Sequence, residues 1–246
     1  MNQYPNQDPY NQYNDQYNDP YSMNNNTSLN NNPNVNGNIN PYQNNPNDPI
    51  GKLTTKNFTP FITIILVAIN AFVFIAETMG GGSESTEVLL KYGAQYAPYM
   101  IDDGQWYRLF TAMFVHIGFR HIASNMFCLI VVGQYIENYF GKIKFLIIYF
   151  ISGLCGNLLS LYFEVGSSTP IVTAGASGAI SGLIGSLVVL AFDPETRKLF
   201  PLPRVLIGIV LLMIPGSKDV NVLAHLGGLI SGFATGYTMY YYSKNK

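Results

Sequence analysis

The sequence predicts an all-α polytopic membrane protein, a bundle of six transmembrane helices behind a disordered N-terminal tail. Three observations predict it. Only 11% of the 246 residues are charged, far below the roughly 25% of a soluble domain. The apolar residues gather into runs after residue 57, while Asn, Gln, Tyr and Pro crowd the first 51. The basic residues then fall mainly on one side of those runs.

Residues 1–51 contain 18 Asn, six Tyr and four Asp, with no Lys or Arg. Such a stretch buries too little apolar surface to offset its chain entropy, so it reads as a solvated low-complexity tail. It has neither a basic start nor an apolar core of the signal-peptide kind. Residues 52–246 form the membrane domain. Thr59–Thr78 is the first span, close to the ~20 residues that a helix needs to cross a bilayer. Ile122–Tyr139, Ile143–Phe163 and the Gly- and Ser-rich Ala174–Phe192 follow. Leu206–Pro215 is a short fifth run and Val222–Tyr242 the sixth.

With the tail inside, the inner segments carry nine basic residues: Lys52, Lys56, Lys142, Lys144, Arg197, Lys198, Arg204, Lys244 and Lys246. The outer segments carry four: Lys91, Arg108, Arg120 and Lys218. This asymmetry predicts six spans with both termini cytoplasmic, and a bacterial plasma membrane suits the absence of a presequence. The long outer loop, about residues 79–119, holds Trp106, the only tryptophan, and reads as an interfacial segment. A net charge of −1 with no basic patch excludes nucleic acid as a partner. Cys128 and Cys155 fall inside spans and supply neither a disulfide framework nor a cysteine zinc site.

Polar residues inside a membrane are costly and point to function. All three histidines lie in or beside spans: His116 and His121 at the start of the second, His225 near the start of the sixth. Spans two, four and six all run inward, so His121, Asn125, Ser177 and His225 fall at a similar depth below the outer surface. Ser177 is then a candidate nucleophile and His225 its general base. His121 and Asn125, spaced i and i+4, share one helix face and can stabilise an oxyanion together with the Ser177 N–H. No acid lies in the outer half of spans two, four or six, so the inventory allows a dyad rather than a triad. Gly178, Gly182, Gly228, Gly232 and Gly236 make small-xxx-small patterns that let helices approach, and Ser177, Ser181 and Gly185 share a face. Each feature alone has a structural explanation in helix packing; their matched depth is what favours chemistry.

Taken together, these residues resemble a rhomboid intramembrane serine protease over roughly Pro60 to Tyr242. The pieces are Trp106-Tyr107-Arg108, His116 with His121-Ile-Ala-Ser-Asn125, Gly175-Ala-Ser177-Gly178, and Ala224-His225-Leu-Gly-Gly228 through Gly232. The resemblance implies Ser177 as nucleophile, His225 as base, and an oxyanion hole of His121, Asn125 and the Ser177 N–H. It implies cleavage of transmembrane protein substrates in the lipid bilayer near their outer ends, without a cofactor. It also implies a movable gate at the fifth span and a structural or headgroup-contacting Arg108. Two positions depart from the pattern. Tyr107 stands where tryptophan usually precedes the arginine, and Ser181 stands where an aromatic commonly packs on the catalytic histidine. Ser181, one turn from Ser177, is the rival nucleophile.

The expected mechanism brings water through an outward cavity lined by His116, His121 and Asn125 to a locally unwound substrate. The alternatives are an inactive rhomboid-like protein that binds membrane clients and, further off, a small transporter.

Overall fold

The computed structural model describes residues 58–213 and 221–245. The tail expected over 1–51, Lys52, Lys56, Lys218, Lys246 and the end of the fifth run at Pro215 lie outside the described residues. Within them the chain is helical, with one isolated antiparallel bridge between Gln95 and Thr173. Helix α1 is Phe61–Met79, and the long loop after it folds into three short helices, α2 (Thr86–Lys91), α3 (Ala97–Ile101) and α4 (Arg108–Thr111). Then come α5 (Gly118–Phe140), α6 (Lys142–Glu164), α7 (Ser177–Phe192), a 3-10 turn at Thr196–Lys198, α8 (Leu202–Met213) and α9 (Val222–Lys244).

Each expected span has a helix. Two of them, α1 and α6, are long and apolar enough to cross a membrane by length and composition. Helix α8 starts at Leu202, four residues before the expected run, because Pro201 and Pro203 suit a helix start, where a missing N–H costs no bond. A single glycine, Gly141 at φ +81°, separates α5 from α6. That backbone region favours glycine, and it reverses the chain without a loop.

Helix α7 is the hub. Nearly every residue from Gly178 to Ala191 is buried, as expected for a helix that is apolar all round. Helices α9 and α6 pack most extensively on it, with α5 and α8 on its other sides. Small residues make the α7–α9 approach possible. A Cβ on Gly228 would lie 2.0 Å from the Gly178 carbonyl oxygen, and one on Gly232 would lie 2.1 Å from that of Gly182. Ser186 Oγ donates to the Gly232 carbonyl at 3.0 Å. The residues facing α9 are therefore Gly178, Gly182, Gly185 and Ser186. The expected Ser177–Ser181–Gly185 face splits: Ser181 bonds within its own helix, and Gly185 meets the Leu229 carbonyl.

Helix α1 sits outside this core and packs mainly on α5. Phe61, Ile64, Phe72 and Ile75 on it are exposed. Its first turn is held by a carboxylate from α5. Glu137 accepts from the Ile62 N–H at 2.9 Å, the Thr63 N–H at 2.8 Å and the Thr63 hydroxyl at 2.8 Å. These N–H groups have no partner inside their own helix, so a charged acceptor there satisfies them and complements the helix dipole. At the same end of the bundle, Asp193 follows α7 directly. It accepts from Tyr240 and from Lys244 Nζ at 2.6 Å, clasping α9 to α7.

Candidate active site

The site is built where α7 begins. Gly175 takes φ +125°, a conformation that side-chain-bearing residues rarely adopt, and its N–H donates to the Ala112 carbonyl at 2.8 Å. The turn delivers Ser177 as the first residue of α7. The N–H groups of a helix's first turn have no carbonyl one turn earlier, and they carry the positive end of the dipole.

His121 and Asn125 lie against that turn. A Cβ added to Gly175 would be 2.7 Å from His121 Cε1, 2.8 Å from His121 Nε2 and 3.5 Å from Asn125 Nδ2. The ring and the amide thus occupy the space above Gly175, two residues before Ser177, one turn apart on α5. Asn125 Nδ2 is buried and has no hydrogen-bond partner among the described residues. An unpaired buried donor is costly unless it has a use.

His225 is buried one turn inside α9. The turn Ala224–Gly228 that contains it lies on Gly178: a Cβ on Gly178 would stand 3.4 Å from the Ala224 carbonyl. The glycine crossing therefore joins the two helices at the neighbours of Ser177 and His225.

His116 departs from expectation. It is fully buried, so it lines no outward cavity. Its Nδ1 faces the Phe114 carbonyl at 3.1 Å, and a carbonyl only accepts, so Nδ1 carries the proton. Nε2 is then the acceptor for the Ala176 N–H at 3.4 Å. Its own N–H donates to Glu77 at 3.3 Å, and its ring stands edge-on to His121, 5.3 Å between centroids. His116 thus braces the turn from below as a neutral ring. The loss of cavity access follows from its place between α1, α5 and the turn.

Ser181 is fully buried, and its hydroxyl donates to the Ser177 carbonyl at 2.7 Å. Such a back-bonded hydroxyl is tied to its own helix. Arg108 is also buried. It donates to the Leu90 and Ala94 carbonyls at 2.8 Å each and to Gln105 at 2.8 Å, with its guanidinium over the Tyr99 ring. Of its two expected roles it takes the structural one, tying α4 to the loop after α2. Trp106 and Tyr107 are half-exposed beside it.

Sequence reasoning missed a polar cluster at the end of α6 and the start of α9, made of Ser160, Glu164, Thr173 and Asn221. Asn221, four residues before His225, carried the only local signal, as a residue suited to cap a helix start.

The rhomboid domain profile matches residues 103–242. Over 181 residues the chain is 34% identical to the rhomboid protease GluP of Bacillus subtilis (strain 168), covering 72% of this chain and 34% of that protein. It is 35% identical over 159 residues to the RHOMBOID-like protein 6, mitochondrial, of Arabidopsis thaliana, covering 63% and 50%. The Rhomboid-like protease 3 of Toxoplasma gondii is 29% identical over 168 residues, covering 66% and 60%. The chain matches only about a third to three-fifths of the length of these relatives.

Proposed function

The chain belongs to the rhomboid family of integral membrane proteins, and from that premise we propose that it is an active intramembrane serine endopeptidase. In this reading Ser177 is the nucleophile and His225 the base. The Ser177 N–H, His121 and Asn125 hold the oxyanion. The observation that carries the reading is the packing of the His121 ring and the unpartnered Asn125 amide on the Gly175 turn next to Ser177.

The geometry supports the steps. Ser177 attacks the scissile carbonyl as His225 takes its proton; the oxyanion meets donors already in place, which need no reorganisation. His225 then protonates the leaving amine, and water releases the acyl-enzyme. Hydrolysis needs no cofactor. The proposed topology has six spans, α1 and α5 to α9, with both termini cytoplasmic in a bacterial plasma membrane. Residues 1–51 are a tail and 52–246 the membrane domain. Helix α7 has 16 residues, about 24 Å at 1.5 Å per residue, against a hydrocarbon core of about 30 Å. A helix that short, reaching the inner face, starts below the outer one. That depth suits cleavage of transmembrane substrates near their outer ends.

The test is labelling of the purified protein by a serine-reactive fluorophosphonate. Wild type and Ser181→Ala label, while Ser177→Ala and His225→Ala do not. A folded wild type that stays unlabelled sinks the reading in favour of an inactive client-binding protein.

A further inference from the structure

The polar cluster between α6 and α9 is not used by the mechanism above, yet it bonds the first turn of α9 and Thr173, four residues before Ser177. We propose that Asn221 is a positioning residue: it holds the first turn of α9, and with it His225, against the segment that leads into Ser177. The inference rests on the Ser177–His225 reading.

Asn221 makes two kinds of bond. As the N-cap of α9, its Oδ1 accepts from the Ala224 N–H at 3.0 Å, and its carbonyl accepts from the His225 N–H at 3.1 Å. Its Nδ2 points the other way. It donates to Ser160 Oγ at 2.6 Å and to Thr173 Oγ1 at 3.2 Å. Both hydroxyls then donate to one oxygen of Glu164, at 3.1 and 3.3 Å. Thr173 is fixed in turn by two backbone bonds with Gln95, at 2.8 and 2.9 Å, and stands four residues before Ser177. Gln95 Nε2 is anchored on the Asn157 carbonyl of α6.

The polarity runs one way, from amide through two hydroxyls to carboxylate. A cap alone requires only an acceptor, which Asp, Ser or Thr supplies as well as Asn. Asn adds a donor group to that acceptor, and here both ends are used. One side chain thus joins the helix of the base to the approach of the nucleophile, with Glu164 as the terminal acceptor.

Asn221→Asp keeps the cap and removes the donors, setting a carboxylate against hydroxyls that already serve Glu164. Adding Glu164→Gln reverses the chain, because its amide now donates to the hydroxyls and these donate to residue 221. Asn221→Asp is expected to slow fluorophosphonate labelling of Ser177 about 100-fold, the scale of a ~1 Å misplacement. Cleavage of a transmembrane substrate loses kcat at nearly constant KM. The double variant recovers to within about tenfold of wild type. Hydrogen exchange gives a readout free of activity. Amides 222–228 exchange faster in Asn221→Asp and recover in the double variant, while α5 and α7 stay protected in both.

Labelling of Asn221→Asp at the wild-type rate, a double variant no faster than the single one, or unchanged exchange at 222–228 each overturns the inference. An unlabelled wild type instead defeats the dyad reading, and the exchange data then still decide whether Asn221 anchors the turn.

Discussion

At the residue scale, the site gathers groups that the sequence scatters over a hundred positions. Asn125 is the sharpest case, since its buried Nδ2 has no protein partner among the described residues and lies beside the Gly175 turn. If it meets the oxyanion, Asn125→Ala lowers kcat by about 10²–10³-fold with little change in KM, the usual loss for one such donor. Steady-state kinetics on a transmembrane substrate checks this; an equal rise in KM at constant kcat would assign Asn125 to substrate binding. The candidates themselves were legible, because Gly-x-Ser-Gly, His-xxx-Asn and Ala-His-xx-Gly are local strings on separate spans. Asn221, Ser160, Thr173 and Glu164 were not. Their partners lie between nine and 61 residues away, except within α6, and no string records a pairing that only the bundle creates. His116 was legible as polar and costly, but its burial depended on α1 reaching over it.

At the element scale, the α7–α9 crossing fixes how the two proposed catalytic arms meet. At its closest points the contacts are backbone on backbone, so neither side can yield there as a flexible side chain would. Gly232→Ala places a methyl 2.1 Å from the Gly182 carbonyl oxygen, and overpacking of this kind costs about 1–3 kcal/mol. Gly208→Ala on α8 is the control: a Cβ there meets nothing within 4 Å, and alanine favours a helix by up to about 1 kcal/mol. Denaturation in detergent micelles should separate the two, Gly232→Ala unfolding earlier and Gly208→Ala no earlier than wild type. The spans were legible because runs of apolar residues and small-xxx-small spacing are written locally. Which small residues meet α9 was not, since Gly185 of the Ser177–Ser181–Gly185 face joins Gly178, Gly182 and Ser186 against it while Ser181 bonds within its own helix, and the choice belongs to the partner helix.

At the scale of the whole molecule, two carboxylates tie the bundle at one end. At the Asp193 clasp, burial alone would raise the carboxyl. Hydrogen bonds from Lys244, Tyr240 and the N–H groups of Thr196 and Glu195 outweigh it and hold Asp193 at about 2. An unfolded aspartate titrates near 3.9, so the clasp contributes fully above about pH 4 and is lost as the pH falls toward 2. Asp193→Asn should therefore lose about 1–3 kcal/mol at pH 6, and the gap to wild type should close near pH 2, as measured by unfolding in micelles. A gap that persists at pH 2 would assign the loss to packing. Glu137 makes the second tie, and it reaches far along the chain: the N–H groups it serves lie 74 and 75 residues earlier. The ribosome releases α1 long before its cap exists. Until residue 137 is made, the first-turn N–H groups of α1 have no such acceptor and turn to solvent. The α1 cap therefore closes only after α5 has been synthesised, which builds an order of assembly into the nascent protein.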